Sequence, residues 1–119
     1  MPLTREQILN TSDIMVEEVA VPEWDGTVLV RGLTGAERDA LESNIVQANR
    51  DGSTTVDTRN LRARLVALCV VDEDGERIFS DEDVDALGRK SAAALDRVFS
   101  VAQRLSGLRA ADIEELRKN

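Results

Sequence analysis

Apolar and polar residues alternate in register along this chain in ways that mark out its elements. Ile14-Met15-Val16-Glu17-Glu18-Val19-Ala20-Val21 is β-branched and stops at Pro22, and Thr27-Val28-Leu29-Val30-Arg31 resumes the pattern beyond Asp25-Gly26. Two such runs around an Asp-Gly loop predict a β-hairpin. Thr4-Arg5-Glu6-Gln7 and Thr34-Gly35-Ala36-Glu37 each have the spacing of a capping box, in which hydroxyl and N3 side chain satisfy each other's backbone amides. The first predicts a short helix to about Leu9. The second predicts a helix to about Asn49, with Leu41, Ile45 and Ala48 on its apolar stripe.

After a flexible loop over Arg50 to Thr55, Asp57 is placed to cap a helix whose inward residues are Leu61, Leu65 and Leu68, with Val66 and Cys69 beside them. Val70-Val71 and Arg77-Ile78-Phe79 flank the acidic stretch Asp72-Glu73-Asp74-Gly75-Glu76, which predicts a second small hairpin or a tight turn. Ser80 caps a short helix to Leu87, closed by Gly88. Ser91 caps another, with Leu95, Val98, Phe99, Ala102 and Leu105 on one wide face and Gly107 as its terminating glycine. Arg109 to Asn119 reads as a last amphipathic helix through Ile113 and Leu116. The order predicts a single α+β domain over residues 1–119, mainly helical: an N-terminal β-hairpin, then a bundle of four to five helices with a short second hairpin or turn. The segment 108–119 reads as an amphipathic helix, either docked on its own domain or mobile.

Composition narrows what such a domain can do. With 119 residues, 42% of them hydrophobic, the chain builds one core without disulfides or metals. Trp24, Phe79 and Phe99 are its only aromatics, so that core is aliphatic. A net charge of −8, from 23 acidic and 15 basic side chains, repels phosphate backbones and anionic membrane surfaces, so neither nucleic acid nor membrane is an expected partner. The N-terminus lacks the charged-then-apolar build of a signal peptide, no apolar stretch is long enough to span a bilayer, and one cysteine forms no internal bridge. The expected location is the cytoplasm.

The chain has no histidine and no tyrosine, which removes the commonest general base and the commonest metal ligand together. Cys69 lies in an apolar run that raises a thiol's pKa and reads as a core thiol rather than a nucleophile. No glycine-rich phosphate loop is present. Aligning Gly75 with the sixth position of a calcium loop puts Val70 at the first, where an oxygen is required, and Asp81 at the twelfth, one methylene short. No enzyme activity and no cofactor are expected.

Three stretches, in their order and spacing, resemble phage tail assembly chaperones of long-tailed bacteriophages and prophages. They are the run from Val21-Pro22-Glu23-Trp24-Asp25-Gly26 to Glu37-Arg38-Asp39, the run from Val71-Asp72-Glu73-Asp74-Gly75 to Ala86-Leu87-Gly88, and Ala94-Leu95-Asp96-Arg97-Val98-Phe99 with Leu105-Ser106-Gly107-Leu108. The resemblance implies a protein of the host bacterial cytoplasm that is absent from the mature virion. Its implied partners are the tape measure protein, whose exposed helices it keeps soluble, the tail tube protein, a frameshift-extended version of itself, and further copies of the same chain. The alternatives are a structural minor tail or head–tail connector protein, and a small regulatory or antitoxin-like binding module. Trp24, Leu108, Ile113 and Leu116 are the candidate partner contacts. Trp24 is expected to fold back over the hairpin, and the last helix to dock on its own domain, unless a partner claims them.

Overall fold

The computed structural model of the protein describes the backbone of residues 1–48, 50–56 and 60–109, and their side chains except at 44–48 and 54–56. Helix α1 spans Arg5–Asn10, strands β1 and β2 span Val16–Val21 and Gly26–Arg31, and helix α2 spans Gly35–Ile45. Strands β3 (Val46–Ala48) and β4 (Thr54–Val56) follow, then helix α3 (Leu61–Cys69), strand β5 (Val70–Val71), helix α4 (Val84–Gly88) and helix α5 (Ala92–Leu105). The class is α+β, opening on a hairpin and continuing largely in helices.

The hairpin forms where the pattern places it. β1 and β2 pair antiparallel from Val16 opposite Arg31 to Val21 opposite Gly26. Pro22 opens a single 3-10 turn between them, and Asp25 closes it in the left-handed region at φ 54°, which a short polar side chain tolerates. β5 then adds to β2, Leu29 opposite Val71 and Val30 opposite Val70, so the sheet order is β1-β2-β5. Val70 and Val71 therefore pair with a strand about forty residues earlier, a pairing that local pattern does not reveal. The acidic turn beyond them closes through one further bridge, Val71 to Arg77.

Period-2 alternation points Val19, Val21 and Val30 to one face of the sheet, where α5 lies across β1 and β2. Ala94 and Ala102, both fully buried, let the helix approach closely, while Leu95, Val98 and Phe99 fill the space beside them. α3 packs on α5 and contributes Leu61, Ala63, Leu65, Val66 and Cys69. Each fully buried branched aliphatic here stabilises the fold by about 1.5–3 kcal/mol relative to exposure. The core is thus a sheet face, α5 and α3 in layers, and not a bundle of helices alone.

Both threonine capping boxes form. The Gln7 N–H donates to Thr4 Oγ1 at 3.2 Å while the Thr4 N–H donates to Gln7 Oε1 at 2.9 Å; at α2 the corresponding Thr34–Glu37 bonds are 3.1 and 2.9 Å. Ser91 caps α5 through the Ala94 N–H at 3.2 Å. At Ser80 the roles are one-sided: the Asp83 carboxylate accepts the Ser80 N–H at 2.8 Å, and a 3-10 turn over Asp81–Asp83 precedes α4.

α2 departs from expectation. It ends at Ile45 rather than continuing to Asn49, and the expected flexible loop is instead the turn of a second antiparallel hairpin, Val46 opposite Val56 to Ala48 opposite Thr54. Asp51 builds that turn by accepting the Ser53 N–H at 3.0 Å and its hydroxyl at 2.6 Å, with Gly52 at φ 87°. The β-branched Val46, Thr54, Thr55 and Val56 prefer this pleated pairing to continued helix. The expected cap at Asp57 lies outside the described residues; α3 is instead entered through Asn60 at φ 57°.

Candidate partner-binding surface

The end of α5 is fastened at several points to the end of β2. The Ser106 hydroxyl accepts the Leu33 N–H at 2.9 Å. A Cβ placed on Gly32 would stand 2.4 Å from the Leu105 carbonyl oxygen, so helix and strand backbones touch where only glycine fits. Cys69 packs beneath the same junction; burial pushes its thiol up to about 11, against a smaller lowering by its bond with the Ser106 hydroxyl, which keeps it protonated at neutral pH.

Leu108 belongs to this junction and not to a presented surface. Its N–H donates to the Gln103 carbonyl at 3.0 Å and that of Gly107 to Arg104 at 3.2 Å, with Gly107 at φ 71°. These are the two bonds of a Schellman motif, and the side chain that follows it is 4% exposed within the core cluster. Trp24 is half-buried and packs against the same core from the hairpin turn, as a residue that folds back does. Ile113 and Leu116 lie outside the described residues. Of the four anticipated contacts only Trp24 and Leu108 fall among the described residues, and both pack with the core cluster.

Exposed apolar side chains are frequent in the N-terminal part of the sequence. Leu3, Ile8 and Leu9 on and before α1 are 68%, 56% and 64% exposed, and Met15 and Val16 at the start of β1 are 65% and 54%. α1 buries none of its residues. A helix of this length held by its cap alone has little stability of its own, so its apolar pair is presented rather than packed.

Among the described residues there is also a groove of about 640 Å³ between α2, α3 and the start of α4, lined by the apolar Ala40, Leu41, Leu68 and Val84 and by Arg64 and Arg77. Glu37, which also lines it, is held in a clamp: Arg31 donates to both of its carboxylate oxygens, one bond being 2.7 Å, and to the Gly32 carbonyl at 2.9 Å. The Arg31 hydrogen bonds, helped by the Thr34 N–H and opposed by partial burial, hold the Glu37 carboxyl at about 2. A carboxylate lowered from 4.5 adds stability that is complete above that pH and lost as pH falls towards 2. Allowing for screening at a partly open site, Glu37→Gln is expected to cost about 1–2 kcal/mol at pH 7 and much less at pH 2, where the native carboxyl is about half protonated. Urea midpoints of the two proteins across that range check this; a constant gap would refute it.

The acidic turn satisfies itself. Asp72 accepts the N–H groups of Asp74 and Glu76 at 2.8 and 3.0 Å, and Gly75 supplies φ 83°. Among the described residues no three acidic or cysteine side chains gather to hold a metal ion, and no helix is long and apolar enough to cross a membrane.

What remains is a surface of exposed aliphatics, ion pairs and uncommitted carboxylates, suited to contact with other chains. No curated protein and no solved structure matches the chain. A family model described as phage tail assembly chaperone matches residues 4–119, from the first capping box to the last residue. The description names a role in tail assembly. The chain belongs to the phage tail assembly chaperone family.

Proposed function

We propose that the protein is a non-enzymatic chaperone that binds and solubilises the tape measure protein in the host bacterial cytoplasm, helps recruit tail tube subunits around it, and is left out of the mature virion. Family membership over residues 4–119 carries the reading. The surface supports it: a holder of long helical chains needs apolar contacts, here Leu3, Ile8, Leu9 and Met15, together with charge to keep the complex dissolved, here −8. Self-association and pairing with a frameshift-extended version belong to the same proposal. Trp24, Ile113 and Leu116 are its further proposed contacts.

Co-expression with the tape measure protein tests it. That protein is expected to be insoluble alone and soluble with the chaperone, and Ile113→Asp to fold yet solubilise less. A tape measure protein that stays in the pellet with wild-type chaperone would end the reading. Recovery of the chain in stoichiometric amount from purified virions would favour a structural minor tail or connector protein instead.

A further inference from the structure

β1 is an edge strand, and its register shows what that edge offers. The Gly32 N–H donates to the Met15 carbonyl at 3.1 Å, which makes Met15 and Gly32 a hydrogen-bonded pair. In an antiparallel ladder bonded pairs alternate, so Glu17, Val19 and Val21 bond β2 while Val16, Glu18 and Ala20 turn their N–H and C=O groups away from it. The far side of the sheet obeys the same phase: Val71 pairs with Leu29, and Val70 and Asp72 bond residues 78 and 76. Among the described residues no strand takes up the outward groups of β1. Val16, Glu18 and Ala20 are all exposed, and α1 buries nothing against them.

Charge decides what fits there. Glu17 and Glu23 are committed to Arg104 at 2.7 Å and Arg97 at 2.9 Å, whereas Glu18, between them in sequence, has no ion pair among the described residues. A second copy pairing antiparallel in the register that uses all three free residues would set Glu18 directly against its own counterpart, and like charges opposite one another destabilise a ladder. Two bodies of charge −8 add to that repulsion. Edge strands are ordinarily protected by charge against such self-pairing. We propose that the β1 edge is a docking site for an extended segment of a partner protein that carries a lysine or arginine opposite Glu18, with aliphatic residues on either side. The segment adds a fourth strand to the sheet, its backbone bonding Val16, Glu18 and Ala20 and its cation meeting the Glu18 carboxylate. This rests on strand register and charge, and stands whether or not the tape measure protein is the partner.

The full chain titrated with a blocked Val-Lys-Val-Lys-Val-Lys-Val peptide, followed by amide hydrogen exchange, tests it. Exchange at Val16, Glu18 and Ala20 is expected to slow, while Glu17 and Val19, already bonded to β2, stay as they were. Exposed Glu18→Lys should fold normally, weaken the peptide about tenfold, and transfer preference to the matching Val/Glu peptide. No slowing at those three amides in millimolar peptide would overturn the proposal, as would binding that ignores Glu18→Lys. Protection of the same amides in the peptide-free protein, with a dimer in sedimentation, would give the edge to a second copy and also overturn it.

Discussion

Gly32→Ala is expected to be among the most damaging small substitutions in this protein, costing about 3 kcal/mol, near the upper end for overpacking. The added methyl would lie 2.4 Å from the Leu105 carbonyl oxygen, 2.9 Å from its carbon and 3.4 Å from the Ser106 nitrogen. All three are backbone atoms, so no side-chain rotation relieves the contact. Either α5 withdraws from β2, breaking the Leu33–Ser106 bond, or the strand end shifts and disturbs the Arg31–Glu37 clamp. The melting temperature should fall by about 10 °C or more. Gly35→Ala is the control: a methyl there meets nothing within 4 Å, and the position opens α2, so stability should hold or rise slightly. Equal melting temperatures for Gly32→Ala and wild type would show that strand and helix do not touch as described.

Leu65→Ala is expected to cost about 3 kcal/mol through a different route. Leu65 is 1% exposed in the middle of α3, among the largest fully buried side chains, and α3 packs on α5, the helix that covers the sheet. Truncation leaves a cavity that its neighbours cannot collapse without moving a helix. The urea midpoint should drop with little change in slope, because the same surface is exposed on unfolding. A cost under about 1 kcal/mol would mean that this layer repacks freely.

Much of this architecture was legible in the sequence because its cues are local. Two threonine capping boxes, a β-branched hairpin around Asp25-Gly26 and the wide face of Leu95, Val98, Phe99 and Ala102 each lie within a few residues of the partners that realise them. What escaped was decided at a distance or between near-equal states. Val70-Val71 reads as half of a local hairpin, yet its main partner is β2. Val46 lies at the crossing of a helical period and a β-branched cluster, and the cluster prevails. Leu108 looked presentable because a leucine after a helix-ending glycine has the same spelling whether it caps inward or faces out; the junction with Gly32 and Leu33 turns it inward. The exposed aliphatics of α1 and the free phase of β1 were written in the sequence, but only the register shows which residues of β1 lack a neighbour.

The fastening of α5 to the strand end at Gly32 also sets when the protein can become itself. Val19, Val21 and Val30 are synthesised well before α5, the helix that shields them, and the fastening of that helix includes the buried Leu108. Until then the nascent sheet is an uncovered apolar plate, and no partial version of the body is worth keeping. The sheet of this fold is covered only when the last turn of α5 and its Leu108 cap are in place.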